Sequence, residues 1–160
     1  MCGRLIAFMP VMKTAKTRSL VLLGTSSVMQ ELAATLTRLG VDVHLVTTAQ
    51  AAYDALHSEE RRDLLAVEMT AVGFGEIGLA DLAEIARQRG TRLALLTSRS
   101  VMDTDACASL LGAVGSLHKW VPVRVTAQRL SELAVSAARS IGESSSYGWQ
   151  AQSAVGQLSA

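Results

Sequence analysis

The stretch DLLAVEM, residues 63–69, constrains the fold of this chain more than any other. Leu64, Leu65, Ala66 and Val67 follow one another with no polar residue between them, so the segment offers no face to water. It is too short for a core helix, and a strand of this kind is stable only when both of its faces are covered, as in the centre of a parallel sheet. Parallel neighbours need crossover connections, and the rest of the chain supplies them. SLVLLG (19–24), TRLALLTS (91–98) and GSLHKW (115–120) read as further short strands, and VDVHLV (41–46) alternates apolar with polar as a half-buried or edge strand does.

Amphipathic segments lie between these runs. Met29, Leu32, Leu36 and Leu39 recur at helical spacing before Gly40. Residues 49–60 place Ala52, Ala55 and Leu56 inward, and residues 79–90 end at Gly90 with Arg87 and Arg89 in the last turn. Residues 103–112 read as a helix capped by Asp103 or Thr104 and stopped by Gly112. Residues 126–142 put Leu130, Leu133, Ala137 and Ile141 on one face. TAVGFGEIG (70–78) is a glycine-rich loop. Five strands alternating with five helices predict an α/β fold: a five-stranded parallel sheet, doubly wound, with right-handed crossovers. Function in such sheets gathers beyond the carboxyl ends of the strands.

Composition narrows the function classes. The chain has 160 residues, 49% of them apolar, which suits one domain with a substantial core. We read residues 1–18 as a leader, either flexible or packed on the domain, 19–142 as the domain and 143–160 as a loosely ordered tail. A formal charge of +1 gives no electrostatic case for nucleic acid. The apolar stretch from Leu5 to Met12 is interrupted by Pro10 and is too short to span a bilayer; no small-residue cleavage motif follows it. A cytoplasmic location without membrane association is the default expectation. Cys2 and Cys107 support neither a disulfide framework nor a zinc site, and Cys107 reads as a packed thiol. His44, His57 and His118 lie on separate elements, so no metal site is expected. Ser26, Ser27 and Ser98 have no matching base and acid, so no catalytic set is expected.

The expected strand ends are Gly24–Ser27, Thr47–Thr48, Glu68–Thr70, Thr97–Ser98 and Lys119–Trp120. Taken in order, these positions resemble the receiver domain of two-component response regulators, the CheY-like branch of the flavodoxin-like folds. The resemblance spans roughly residues 19 to 141 and rests on DLLAVEMT, LALLTS and ACASLLGAVGSLHKW. The spacings agree with it: 44 residues from Gly24 to Glu68, 29 from Glu68 to Thr97, and 22 from Thr97 to Lys119.

The resemblance implies a phosphoacceptor site, and the sequence departs from it at the positions that matter most. Receivers carry an acidic pair after the first strand to hold Mg²⁺; Gly24 and Thr25 stand there instead. The phosphoacceptor aspartate is replaced by Glu68, whose oxygens reach one methylene further. Thr97 and Lys119, which in the family contact the phosphoryl group, persist. Ser116 occupies the switch position usually held by an aromatic, and Trp120 replaces the usual proline. Phosphorylation is therefore not expected, and no cofactor is. Lys119 and Thr97 are free to engage Glu68 directly, as a permanent imitation of the phosphorylated state or as a relic in which a buried charge has kept a partner. Trp120 either covers the strand ends or packs partly buried.

The reading that follows is a pseudo-receiver of bacterial signalling, not an enzyme, which works through protein partners such as a kinase or regulator. The expected contact face, also a route to homodimers, is made by the fourth helix, fifth strand and fifth helix, with Asp105, Ser109, Ser116, His118, Arg129 and Glu132. No output domain follows, so DNA binding is not expected. The alternative is a flavodoxin-like binder of a phosphorylated small molecule. In that case GTSS (24–27) would cradle the phosphate, whereas the simpler reading of Ser26 or Ser27 is an N-cap.

Overall fold

A computed structural model of the chain describes residues 17–73, 75–98 and 101–144, without side-chain detail for 101–103 and 136–144. The strands are β1 (Ser19–Leu23), β2 (Asp42–Val46), β3 (Leu64–Glu68), β4 (Arg92–Thr97) and β5 (Gly115–His118). Between and after them run α1 (Ser27–Arg38), α2 (Ala49–His57), α3 (Leu79–Arg89), α4 (Val101–Leu110) and α5 (Val123–Ser144). All neighbouring strands are parallel, in the order β2-β1-β3-β4-β5. The expected doubly wound sheet is present, with the DLLAVEM strand at its centre.

Strand periodicity divides the core into two layers. Leu20, Leu22, Leu64, Ala66, Ala94 and Leu96 face Met29, Leu32 and Leu36 of α1 and Ala127, Leu130 and Ala134 of α5. Val21, Leu23, Leu65, Val67, Leu93 and Leu95 face Ala52 and Leu56 of α2, Leu82, Ile85 and Ala86 of α3, and Ala108 of α4. Every residue of β1 and β3 is buried, which is why these runs carry no alternation. β2 is an edge strand with only Val46 buried. Each fully buried leucine contributes about 1.5–3 kcal/mol of transfer free energy.

Several local expectations are corrected. Leu39 is not part of the inward stripe of α1: it is the C-cap residue and 52% exposed, because the helix has already ended. α4 begins at Val101, so Asp103 and Thr104 lie in its first turn rather than at its cap. Thr104 is instead buried, and its hydroxyl reaches that of Thr97 at 3.4 Å. α5 starts at Val123, directly after Pro122, whose carbonyl accepts from the amides of Val125 and Thr126. α3 ends as expected, with Gly90 in the left-handed region at φ 67°. The leader to residue 16, the tail from residue 145, and Phe74 lie outside the described residues; of Ala137 and Ile141 only the backbone is described. No helix among the described residues is long and apolar enough to cross a membrane.

The amino end of the sheet carries a polar cluster that the sequence reading did not single out. Arg62 is 8% exposed; its guanidinium donates to Ser19 Oγ at 2.7 Å, Asp42 Oδ2 at 3.2 Å and Glu60 Oε2 at 2.7 Å. Buried Asp63 accepts from the Ser19 amide at 3.0 Å. The cluster ties the starts of β1, β2 and β3 together.

Candidate functional site

At the opposite end of β3 the last strand residue, Glu68, is 1% exposed. Register places it beside Leu96, and Leu23 of β1 pairs with Val67, so the turn after β1 hangs directly over the carboxylate. That turn supplies the donors. Thr25 N–H donates to Glu68 Oε2 at 2.8 Å, with a longer contact of 3.4 Å from Ser26 N–H. The Ser26 hydroxyl donates to Oε1 at 2.7 Å, and the Lys119 ammonium contacts the same oxygen. Lys119 reaches it because its own amide donates to the Thr97 carbonyl at 2.8 Å, carrying the β4–β5 pairing one residue past the strand.

Both carboxylate oxygens are thus engaged by the N-terminal turn of α1 and by one cation. The helix dipole adds to this, since orphan N–H groups at a helix start favour negative charge. Burial works against the ammonium and lowers the pKa of Lys119 from the ordinary lysine value. The side chain is 17% exposed, so the pair is sealed on the glutamate side and open to water only at the lysine.

Ser26 corrects the simpler reading of its role. It is the N-cap residue of α1, but its side chain makes no capping bond; the hydroxyl turns to Glu68 instead. The reading of GTSS as an anion cradle therefore describes its chemistry, and the anion is the chain's own carboxylate.

Gly24 is what lets the glutamate in. A Cβ on Gly24 would lie 2.7 Å from Glu68 Oε2 and 2.4 Å from Met29 Cγ. Any side chain at that position competes for the space the carboxylate occupies.

Mg²⁺, which the resemblance implies, does not fit this donor set. The turn after β1 has no carboxylate, the two Glu68 oxygens already accept from protein donors, and an ammonium sits where a hard cation would need neutral or negative oxygens. Among the described residues no three His, Cys, Asp or Glu side chains gather as a metal-binding group.

The remaining expected positions separate into two sets. Thr97 is buried at 4% exposure; its carbonyl accepts from the Lys119 amide and its hydroxyl accepts from that of Thr104 at 3.4 Å. Ser116, at the switch position, donates to Asp105 Oδ1 at 2.5 Å and so pins α4 to β5. Ser109, Arg129 and Glu132 are exposed, and His118 is half-buried. Trp120 meets neither expectation: it is 80% exposed, so it is not a packing residue and seals nothing. Cys107 is half-buried against the α2–α4 layer, as a packed thiol.

No family model matches the sequence, and no curated protein matches it either. Solved structures do. A receiver domain of an HD-domain-containing protein from Pseudomonas fluorescens Pf-5 superposes with a TM-score of 0.68 at 21% identity, over 84% of this chain and 98% of that one. The receiver domain of a putative LuxO repressor from Vibrio parahaemolyticus gives 0.65 at 13% identity, over 78% and 95%. A CheY-like receiver domain from Methanospirillum hungatei JF-1 gives 0.64 at 13% identity, over 78% and 98%. At these identities the likeness speaks for architecture, and it agrees with the strand order and with the placing of Glu68, Thr97 and Lys119 at one end of the sheet. The chain has the fold of the response-regulator receiver domains.

Proposed function

We propose that this chain is a phosphorylation-independent pseudo-receiver that acts as a signalling adaptor or regulator through protein contacts. The observation that carries the reading is the engagement of Glu68 by Thr25, Ser26 and Lys119. An attacking carboxylate must be free to meet a phosphoryl donor in line, with metal to neutralise the charge. Here it is buried, hydrogen-bonded and paired.

The same contacts favour mimicry over relic. Lys119 and the first turn of α1 meet a fixed negative charge, which is what they would meet in a phosphorylated receiver. Signalling then depends on abundance or on partner binding rather than on a kinase. The partner surface of this reading is the α4–β5–α5 face with Asp105, Ser109, Ser116, His118, Arg129 and Glu132. A flavodoxin-like use of Thr25 and Ser26 for an external phosphate is disfavoured because those donors already hold Glu68.

The test is an amide-shift titration with Mg²⁺ and beryllofluoride, then with FMN, followed by mass spectrometry after incubation with acetyl phosphate. The expected result is no saturable shift at Thr25, Glu68 or Lys119 and no added phosphoryl mass. Micromolar Mg²⁺ binding at the strand ends, or a covalent phosphate on Glu68, overturns the reading; saturable FMN shifts at Thr25 give the site to a small ligand.

A further inference from the structure

The receiver fold implies a divalent cation at the carboxyl end of β3, and the groups around Glu68 do not suit one. We infer that the resident cation of this site is the Lys119 side chain itself, and that the site selects a primary alkylammonium group over a metal ion. This assignment rests on the phosphorylation-independent reading and adds to it the identity of the cation.

The carboxylate sets the charge. Glu68 is 1% exposed; its Oε2 accepts from Thr25 N–H at 2.8 Å, while Oε1 accepts from the Ser26 hydroxyl at 2.7 Å and contacts the Lys119 ammonium. Both oxygens therefore already have donor hydrogens aimed at them by the turn after β1. One negative charge balances one ammonium. Mg²⁺ asks for a shell of oxygens at close range, and the turn's N–H and O–H donors present it with hydrogens instead.

The walls set the shape. Lys119 borders a cavity of about 10 Å³ together with Val28, Met29, Leu96, Val121 and Val123, and Thr126 is the one hydroxyl-bearing residue of that lining. Such walls cover the methylenes of a lysine and offer a hard cation almost no oxygen. The space left beside the lysine is about that of a single water, too little for an ion that keeps several of its own.

The backbone makes the cation permanent. The Lys119 amide donates to the Thr97 carbonyl at 2.8 Å, which fixes the lysine at the strand end. A tethered cation is present at a high effective concentration whatever the solution holds, so the site is neutralised without regard to free Mg²⁺.

The test is an amide-shift titration of full-length Lys119→Ala with propylammonium chloride, whose three carbons and nitrogen match the part of the side chain removed. Propan-1-ol, MgCl₂ and NaCl, the salts at matched ionic strength, are the comparisons. Expected with propylammonium are saturable shifts at Thr25 and Ser26 and a raised urea midpoint. Propan-1-ol should bind at least about tenfold more weakly, and Mg²⁺ should add nothing beyond NaCl. The double variant Lys119→Ala/Glu68→Gln, which leaves no orphaned carboxylate, should give no saturable response. Where Lys119→Ala does not fold unaided, the same additions are scored by recovery of its far-UV circular dichroism. Recovery with propylammonium alone is then the expected result, and no recovery overturns the inference. It is overturned equally by absent shifts, by propan-1-ol or Mg²⁺ matching propylammonium, or by an undiminished response in the double variant. These readouts concern chains without Lys119 and use no phosphodonor. The phosphorylation-independent reading fails instead on wild type that takes Mg²⁺ or phosphate, so the two failures are told apart.

Discussion

The two ends of β3 each hold a buried charge, and they hold it differently. Glu68 at the carboxyl end has donors from the turn after β1 and a single cation that is itself largely covered. Arg62 at the amino end leans on Asp42 and Glu60, whose side chains are 59% and 75% exposed, and its buried Nε has no acceptor. The arginine is a clasp at the water's edge, where each partner recovers solvation if the bond is lost. The glutamate is enclosed, and its neutralisation depends on one lysine. A sealed charge costs most when its partner is removed, because the orphaned group cannot return to water.

The sharpest way to break this contrast is Lys119→Met. It leaves Glu68 without a cation, and we expect a loss of about 3–5 kcal/mol in urea-denaturation stability. A loss under about 1 kcal/mol would mean that the Thr25 and Ser26 donors neutralise the carboxylate alone. Next in size is Gly24→Ala. Its Cβ meets Met29 and Glu68, and the ends of both side chains must move, at about 1–3 kcal/mol. The matching readout is a change in the Thr25 and Ser26 amide shifts as the carboxylate is displaced.

Arg62→Met sets the other side of the comparison. The exposed acids rehydrate, leaving chiefly the lost hydrogen bond to Ser19, so about 1–2 kcal/mol is expected by the same denaturation measurement. If it matches or exceeds Lys119→Met, the distinction between sealed and open charges fails. The smallest effect belongs to Glu84 and Arg87, a pair on the surface of α3. The hydrogen bond from Arg87, ahead of one from Gln88, lowers the Glu84 pKa. Its contribution is present above the ordinary glutamate value and fades as pH falls through the lowered one. Thermal melts of wild type and Glu84→Gln should converge at acid pH, and added salt should narrow their difference at neutral pH.

The sheet was legible because its signal is local. Leu64 to Val67 have no polar face, and a strand without one has few places to go. The alternation of β2 marked it as a half-buried or edge strand, and the strand order puts it at the edge. The functional end was legible only in part. Spacing and resemblance brought Glu68, Thr97 and Lys119 to one edge, but the hydroxyl of Ser26 read as a cap because capping is the commonest use of serine before a helix. What redirected it was a buried carboxylate 42 residues away. Arg62 and Thr126 carried no signal at all, since an arginine beside an aspartate and a threonine near a helix start look like solvated surface until the fold buries them.

Taken alone, the sequence determined the order of strands and helices, the apolar layers, and the lack of acids in the first turn, because those follow from residue type and period. Only the tertiary structure decided that Glu68 turns inward, that Gly24 makes room for it, and that Lys119 meets it between apolar walls. Hydrogen bonds and ion pairs act over a few ångströms, and which groups come that close is fixed by how the strands stack and the helices pack, not by their distance along the chain.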